Sequence, residues 1–284
     1  MVTGLRGASW GLLLAGLTSG TLSDGVRQHS PVYLGGYRVL AADFHLHPFP
    51  LSGSTLAPWD LMWDAQRQGL DAVAITGHNE AWSGRAASWV ARHLGGPTVL
   101  PGEEIHGPIY HMIAAGIHST ISWRLSAADA IAEIHRQGGV AIAAHPGSAA
   151  WPAFDAPAMQ QLDASEVWQP VAFDRELAAE MRTFYARKPM AAIGSSDWHG
   201  LGPPGICRTW VFVHTNTEAE ILQAIRERHT VVYDGTQYYG DPALVAMASA
   251  DGRLKESPAP SPWALVSRVS AVLGLLGLVL AYRR

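Results

Sequence analysis

Two short runs, His45-Leu46-His47 and Asp197-Trp198-His199, each set a pair of ligand-bearing side chains at positions i and i+2. On an extended backbone such residues face the same way, so each pair can hold one ion between its two side chains. His78, Glu103, Glu104, His111 and His145 add further nitrogen and carboxylate donors. The single cysteine, Cys207, permits no intrachain disulfide and no Cys-rich zinc site, so any metal must be held by His and carboxylate. That donor set suits Zn, Mn or Fe acting as a Lewis acid that lowers the pKa of bound water, which is hydrolytic chemistry. His29, His93, His118, His135, His214 and His229 stand outside these groupings and read as ordinary polar or loop histidines.

Positioning these groups requires a scaffold, and the chain supplies alternating β-branched and helical segments. Strands are expected over 37–44, 71–76, 97–101, 110–117, 139–145, 164–169, 189–195 and 208–214, with helices over 58–69, 81–94, 126–137, 173–187 and 217–228. Ser126, three residues before Asp129, reads as an N-cap. Strands apolar on both faces, alternating with helices, imply an α/β parallel sheet closed into a barrel. His45 and His47 then follow the first strand, His78 the second, Glu103 and Glu104 the third. His111 starts the fourth, His145 ends the fifth, and Asp197 and His199 end the seventh. In a parallel barrel the strand C-termini open on one face, so one rim collects nearly every donor.

Composition bounds the remaining choices. The 284 residues are 48% hydrophobic and 15% charged, which excludes a disordered tail protein. A net charge of −4 without a Lys/Arg run leaves no footprint for duplex nucleic acid. Residues 1–30 carry an apolar run at 8–17 after Arg6 and read as a signal-like segment, or else as an N-terminal helix packed on the domain. A domain over 31–250 is followed by a Pro/Ser linker at 251–262 and an apolar helix at 263–284, expected to be a transmembrane anchor. Trp263 and Tyr282 sit like interfacial aromatics, and Arg283-Arg284 would stay cytoplasmic, which puts the domain on the extracytoplasmic side. Arg268 is the weak point of that span. Trp59, Trp63, Trp82, Trp151, Trp168 and Trp198 lie near the rim loops, either to stack an aromatic or sugar group or to pack barrel against helices. Alternation points Trp198 away from the ligands on either side of it.

The stretches DFHLH (43–47), AITGHN (74–79), PGEEI (101–105), HMIAAGI (111–117), AAHPG (143–147) and GSSDWHG (194–200) occur in the order of a known family. Together they resemble the polymerase and histidinol phosphatase (PHP) superfamily of metallohydrolases. AIRERHTVVYDG (224–235) is similar to the closing segment of bacterial members. The resemblance implies a distorted seven-stranded β/α barrel with two or three divalent ions (Zn, Mn or Fe) at its rim. It implies that His45, His47, Glu104 and Asp197 surround one metal, that Glu104 bridges to a second held by His111 and His145, and that His78 and His199 belong to a third. Glu104 takes the family's glutamate position because an apolar residue, Ile105, follows it. The chain departs from the family twice, both times beside the third site. LSGST (51–55) lacks the carboxylate many members carry after the His-x-His, and Gly77 replaces an Asp before His78. A firm dinuclear core with a weak, exchangeable or externally completed third metal follows as the expectation.

The leading functional expectation is a metal-dependent phosphoesterase acting on a small phosphate monoester or diester, with His45, His47, Asp197 and His199 as catalytic residues. Arg175, Arg187 and Arg208 are the candidate phosphate readers, although a solvent-facing or strand-capping role competes for each. A metal-dependent carbamate, amide or ester hydrolase is the alternative. A non-catalytic metal-binding module on a membrane surface is the third reading, against which the intact inner donor set argues.

Overall fold

The computed structural model of the chain describes residues 2–24, 30–170, 175–200, 202–255 and 262–282. It forms two compact units, Ser30–Ser257 and a smaller one from Met1–His29 and Pro258–Arg284.

The larger unit is built on one sheet of strands β1 (Val32–Leu34), β2 (Tyr37–Leu46), β3 (Ala72–His78), β4 (Thr98–His106), β5 (His111–Ala115), β6 (Val140–Ala143), β7 (Ala164–Trp168), β8 (Ala191–Gly194), β9 (Thr209–Val213), β10 (Thr230–Tyr233) and β11 (Tyr238–Gly240). The order is β11-β10-β9-β2-β3-β4-β5-β6-β7-β8, with β1 paired on β2. Strands β2 to β4 and β6 to β8 are parallel, while β5 is antiparallel to both neighbours. The chain beyond β8 returns to β2 through a parallel bridge between Leu46 and Trp198. There the His47 N–H donates to the Trp198 carbonyl at 3.1 Å and the Trp198 N–H to the His45 carbonyl at 3.2 Å. The sheet is thereby nearly closed into a barrel from β2 to β8.

The seven-stranded expectation is corrected to eleven strands among the described residues: the eight strands read from the sequence form β2 to β9, and β1, β10 and β11, each three or four residues long, extend the sheet beside β2 and β9. Short strands on a sheet flank leave little periodic signal. The all-parallel expectation fails at β5 for a different reason. Only Gly107–Tyr110 separate β4 from β5, and a parallel crossover needs about a dozen residues or more. The reversal puts the N-terminus of β5, and so His111, on the rim where the other strands end.

Between the strands lie α2 (Pro58–Arg67), α3 (Trp82–Leu94), α4 (Ala127–Arg136), α5 (Ala156–Gln161), α6 (Arg175–Tyr185), α7 (Glu218–Arg226) and α8 (Pro242–Asp251), after α1 (Val2–Asp24) in the smaller unit. Their starts are legible in composition. Pro58 opens α2, the Ser126 hydroxyl accepts the Asp129 N–H to cap α4, and Thr217 and Asp241 cap α7 and α8 the same way. Leu40, Ala42 and Phe44 face an inner layer with Ala74, Leu100, Ile113, Ile142, Ile193 and Ile225. Val39 and Ala41 face an outer layer with Leu61, Met62 and Phe212. Alternation from Phe44 would send His45 outward with Asp43, but the β2–β3 register shifts between Asp43 and Leu46. Leu46 thus rejoins the outer layer, and His45 and His47 turn inward.

The smaller unit pairs α1 with α9 (Pro262–Tyr282) antiparallel at close range. A Cβ on Gly16 would stand 2.5 Å from the Ala271 nitrogen, and one on Gly274 would stand 2.5 Å from the Leu13 nitrogen. The Arg6 guanidinium donates to the Ala281 carbonyl at 3.2 Å. Among the described residues no helix is long and apolar enough to cross a membrane. The expected transmembrane anchor at 263–284 is therefore corrected, and with it membrane anchoring as a partnership and the extracytoplasmic placement that rested on it. Arg268 divides the apolar run, and the stretch from Val269 is about 21 Å long at about 1.5 Å per residue, against about 30 Å of hydrocarbon. Of the 251–262 linker, 253–255 form a 3₁₀ turn with Leu254 buried, while 256–261 and the terminal Arg pair lie outside the described residues.

Candidate metal centre

The barrel brings all eight expected ligands to one rim. Glu104, at the inward-facing end of β4, is the hub. Its Oε1 lies 3.1 Å from His111 Nδ1 and 3.4 Å from His145 Nε2. Its Oε2 lies 3.1 Å from His78 Nε2 and 3.6 Å from the Nε2 atoms of both His45 and His47. Asp197 approaches from the opposite side, with Oδ1 at 2.9 Å from His47 Nε2 and 3.3 Å from His45 Nε2. His199 bonds its Nδ1 to the Asp197 carbonyl at 2.9 Å, and its ring stacks on that of His47 with centroids 4.1 Å apart. Three-residue groups with ligand atoms within 4.8 Å of one another include His45/His47/Glu104, His45/His145/Asp197, Glu104/His111/His145 and His47/His78/His199.

These contacts are too close for indifference and too poorly aligned for hydrogen bonds. His45 Nε2, His47 Nε2, Glu104 Oε1 and His111 Nδ1 are buried and make no hydrogen bond. An unsatisfied buried polar atom costs about 1–3 kcal/mol, which a shared cation removes for several atoms at once. The donor set and its convergence fit divalent metal ions.

Electrostatics agree. Burial pushes the His47 imidazole down to about 3, so it is neutral and free to ligate. Burial works the same way on His45, but Asp197, Glu166 and Glu104 outweigh it and hold the ring well above its ordinary value. Glu104 and Asp197 are held low, against burial, mainly by the His45 charge. The proton on His45 therefore stands in for positive charge that this carboxylate pair demands, and a cation can replace it.

A supporting layer fixes these side chains. Glu166 on β7 accepts the His45 Nδ1 proton at 2.9 Å and the His145 backbone N–H at 2.7 Å. Gln169 links Glu166 to Asp197, donating to each at 3.3 Å. Asp43, pushed up to about 6 by burial, accepts from the backbone N–H groups of His45, Ser196 and Gly205 and from the Ser196 hydroxyl. It ties β2 to the segment that carries Asp197. Among the described residues, three of the four non-glycine residues with positive φ, Asn79 (54°), His145 (29°) and Asp197 (48°), lie at the site. Such conformations persist where surrounding bonds impose them.

Glu103 points away from the centre and accepts the Ile121 N–H at 2.6 Å. Trp198 is buried in the outer layer with its indole N–H on the Gly202 carbonyl, away from the ligands. None of the three candidate arginines is placed among the ligands. Arg208 is buried and donates to the Gly205 carbonyl, Arg187 stands over the Trp151 ring, and Arg175 is exposed at the start of α6. Residues the sequence reading missed are Glu166, Asp43, Gln169 and His106, whose Nδ1 is 3.5 Å from Glu104 Oε2. His106 was available from the i, i+2 rule that paired His45 with His47, once β4 is seen to continue through Glu104.

No protein-family model matches the chain. It is 31% identical to an uncharacterized protein of Methanocaldococcus jannaschii, over 38% of this chain and 69% of that one, and the two belong to one family. An amidohydrolase from Chromobacterium violaceum is similar with a TM-score of 0.48, at 16% identity over 58% of this chain and 89% of that one. A two-domain protein from Bacteroides vulgatus, containing a predicted PHP-like metal-dependent phosphoesterase, superposes with a TM-score of 0.64. That match has 21% identity and covers 79% of this chain and 73% of the other. The chain therefore shares the fold of that PHP-like protein.

Proposed function

We propose that the chain is a metal-dependent hydrolase that cleaves a small phosphate monoester or diester at its His/carboxylate centre. The observation that carries this reading is Glu104, whose two oxygens face two different sets of histidines, the arrangement of a bridging ligand. His45, His47, Asp197, His111 and His145 would hold the ions with it. Bound divalent ions would polarise the substrate and supply hydroxide at neutral pH. The chain's own groups do the rest. Glu166 keeps the His45 Nε2 directed at the centre by holding its Nδ1 proton. The His199 side chain, about 39% exposed and tethered through Nδ1, can carry a proton between solvent and the leaving oxygen. A cavity of about 240 Å³ beside His111 and His145, floored by Ile109, Tyr110, Ala150 and Leu177, is sized for a small substrate.

Ester or amide hydrolysis at the same centre is the second reading. The apolar floor and the absence of an arginine beside the ligands among the described residues favour it. Matched aryl phosphates and aryl esters, assayed with Mn or Zn and with a chelator, separate the two. Metal-dependent turnover of phosphates supports the first, and turnover of esters alone replaces it with the second.

A further inference from the structure

We propose that His106 is a metal ligand, completing with His78 and Glu104 a third cation position on the outer side of the cluster. The inference rests on the hydrolase reading above only in taking the centre to bind divalent ions.

The register makes the placement unavoidable. His106 lies two residues beyond Glu104 on β4 and directly opposite His111 across the β4–β5 ladder. Residues i and i+2 on a strand, and residues opposite one another in an antiparallel pair, share a face. His106 must face where Glu104 and His111 face. The rings of His106 and His111 are 3.9 Å apart between centroids, and those of His106 and His78 are 4.5 Å apart.

The backbone of His106 is also clamped. Asn79 donates its side-chain amide to the His106 carbonyl and accepts the His106 N–H, both at 2.9 Å, while its own backbone N–H donates to the Glu104 carbonyl at 2.9 Å. One residue beside His78 thereby sets the spacing between His78, Glu104 and His106. Asn79 holds a positive φ of 54° to do so.

Counting donors around Glu104 then separates two cations on one oxygen's side. Four imidazole nitrogens lie within 3.6 Å of Oε2, those of His45, His47, His78 and His106. A carboxylate oxygen has about two lone-pair sites and cannot serve four ring nitrogens one by one. His45 and His47 share Asp197 as a second anion. For His78 and His106, Glu104 is the only carboxylate within ion-pair distance among the described residues. The four divide into two pairs, and the ligand atoms of His78, Glu104 and His106 fall within 4.8 Å of one another. The competing group for His78, with His47 and His199, contains no anion, and its His47 already faces Asp197. A divalent cation is better neutralised on the Glu104 side. The His106 side chain is 44% exposed, so this position opens to solvent and its ion exchanges more readily than the inner ones.

The test is metal content and affinity of the full chain, measured by mass spectrometry and chelator competition with Zn and Mn. Wild type is compared with His106→Ala, His106→Asp and His199→Ala, each checked for folding by circular dichroism. The expected result is that His106→Ala loses one ion per chain, or weakens the last ion at least tenfold, while the others stay. His106→Asp retains that ion, because a carboxylate can ligate from the same position. Anomalous scattering would place a peak about 2.0–2.1 Å from His106 Nδ1 with Zn bound. An unchanged count and affinity in His106→Ala, or loss of the ion in His199→Ala instead, would overturn the proposal. Wild type holding only two ions overturns it as well and leaves the hydrolase reading intact, whereas wild type holding none removes both.

Discussion

Glu166 offers the sharpest check on how the centre is organised, because it touches no predicted ligand atom that faces the ions. It is fully buried and uses both oxygens, one on the His45 Nδ1 proton and one on the His145 backbone N–H. Glu166→Gln preserves the volume but replaces one oxygen by an NH2 group. Whichever way the amide turns, one of the two N–H donors then meets another donor. Losing a hydrogen bond to a charged group costs about 1.5–3 kcal/mol. Removing such an outer partner of a metal-bound histidine typically lowers metal affinity about 10–100-fold, which is about 1.4–2.7 kcal/mol. The two magnitudes agree, so Glu166→Gln is expected to weaken the tightest ion 10–100-fold. Glu166→Ala, which strands both of these donors and the Gln169 amide, should weaken it further. Chelator competition on folded protein, with thermal unfolding as a control, gives the number. Affinity within about twofold of wild type in both variants would refute the claim that Glu166 aims His45 and His145 at the metals, since that lies well below the range expected for such partners.

Three other outcomes follow from the same geometry. Asp43→Ala should lower stability by about 3 kcal/mol or more, because three backbone N–H groups lose their buried acceptor, and urea unfolding will show it. Burial, with Glu80 adding like charge, pushes Glu103 up to about 8, above the ordinary value of 4.5. Its contribution is therefore fully present below about pH 4.5 and lost as pH rises through about 8, so wild-type stability should fall between those limits. Glu103→Gln should flatten that slope, and denaturant midpoints at pH 6 and pH 9 are the comparison. Gly84→Ala should destabilise by about 1–3 kcal/mol, since its Cβ would stand 2.6 Å from the Gly102 nitrogen where α3 crosses β4. A thermal midpoint unchanged from wild type would show that the helix can shift outward there.

The parts of this molecule that sequence reveals are those set by short-range rules. Ser126 before Asp129 marks the start of α4, and alternation correctly turns Trp198 away from its two neighbours. Strand ends were less legible, because Glu103 and Glu104 look like the start of a loop although β4 runs on through His106. That misplacement hid His106. Glu166 was invisible for another reason. A lone glutamate inside ASEVW reads as the polar face of a strand, and only barrel closure brings it beneath His45. The reversal at β5 was in principle readable from the four residues of Gly107–Tyr110, since the length of a connection limits its topology. Hydropathy misled at the C-terminus, where a helix of mostly apolar residues packs small residues against α1.

The central claim, that one rim of this barrel holds a multinuclear metal centre, is tested most directly by the metal content of the purified full chain beside His47→Ala and Asp197→Ala. Two or more transition-metal ions per folded wild-type chain, with the inner ions lost from both variants, is the predicted result. A folded wild-type chain with no retained metal after loading with Zn or Mn, or variants that keep the full complement, would contradict it.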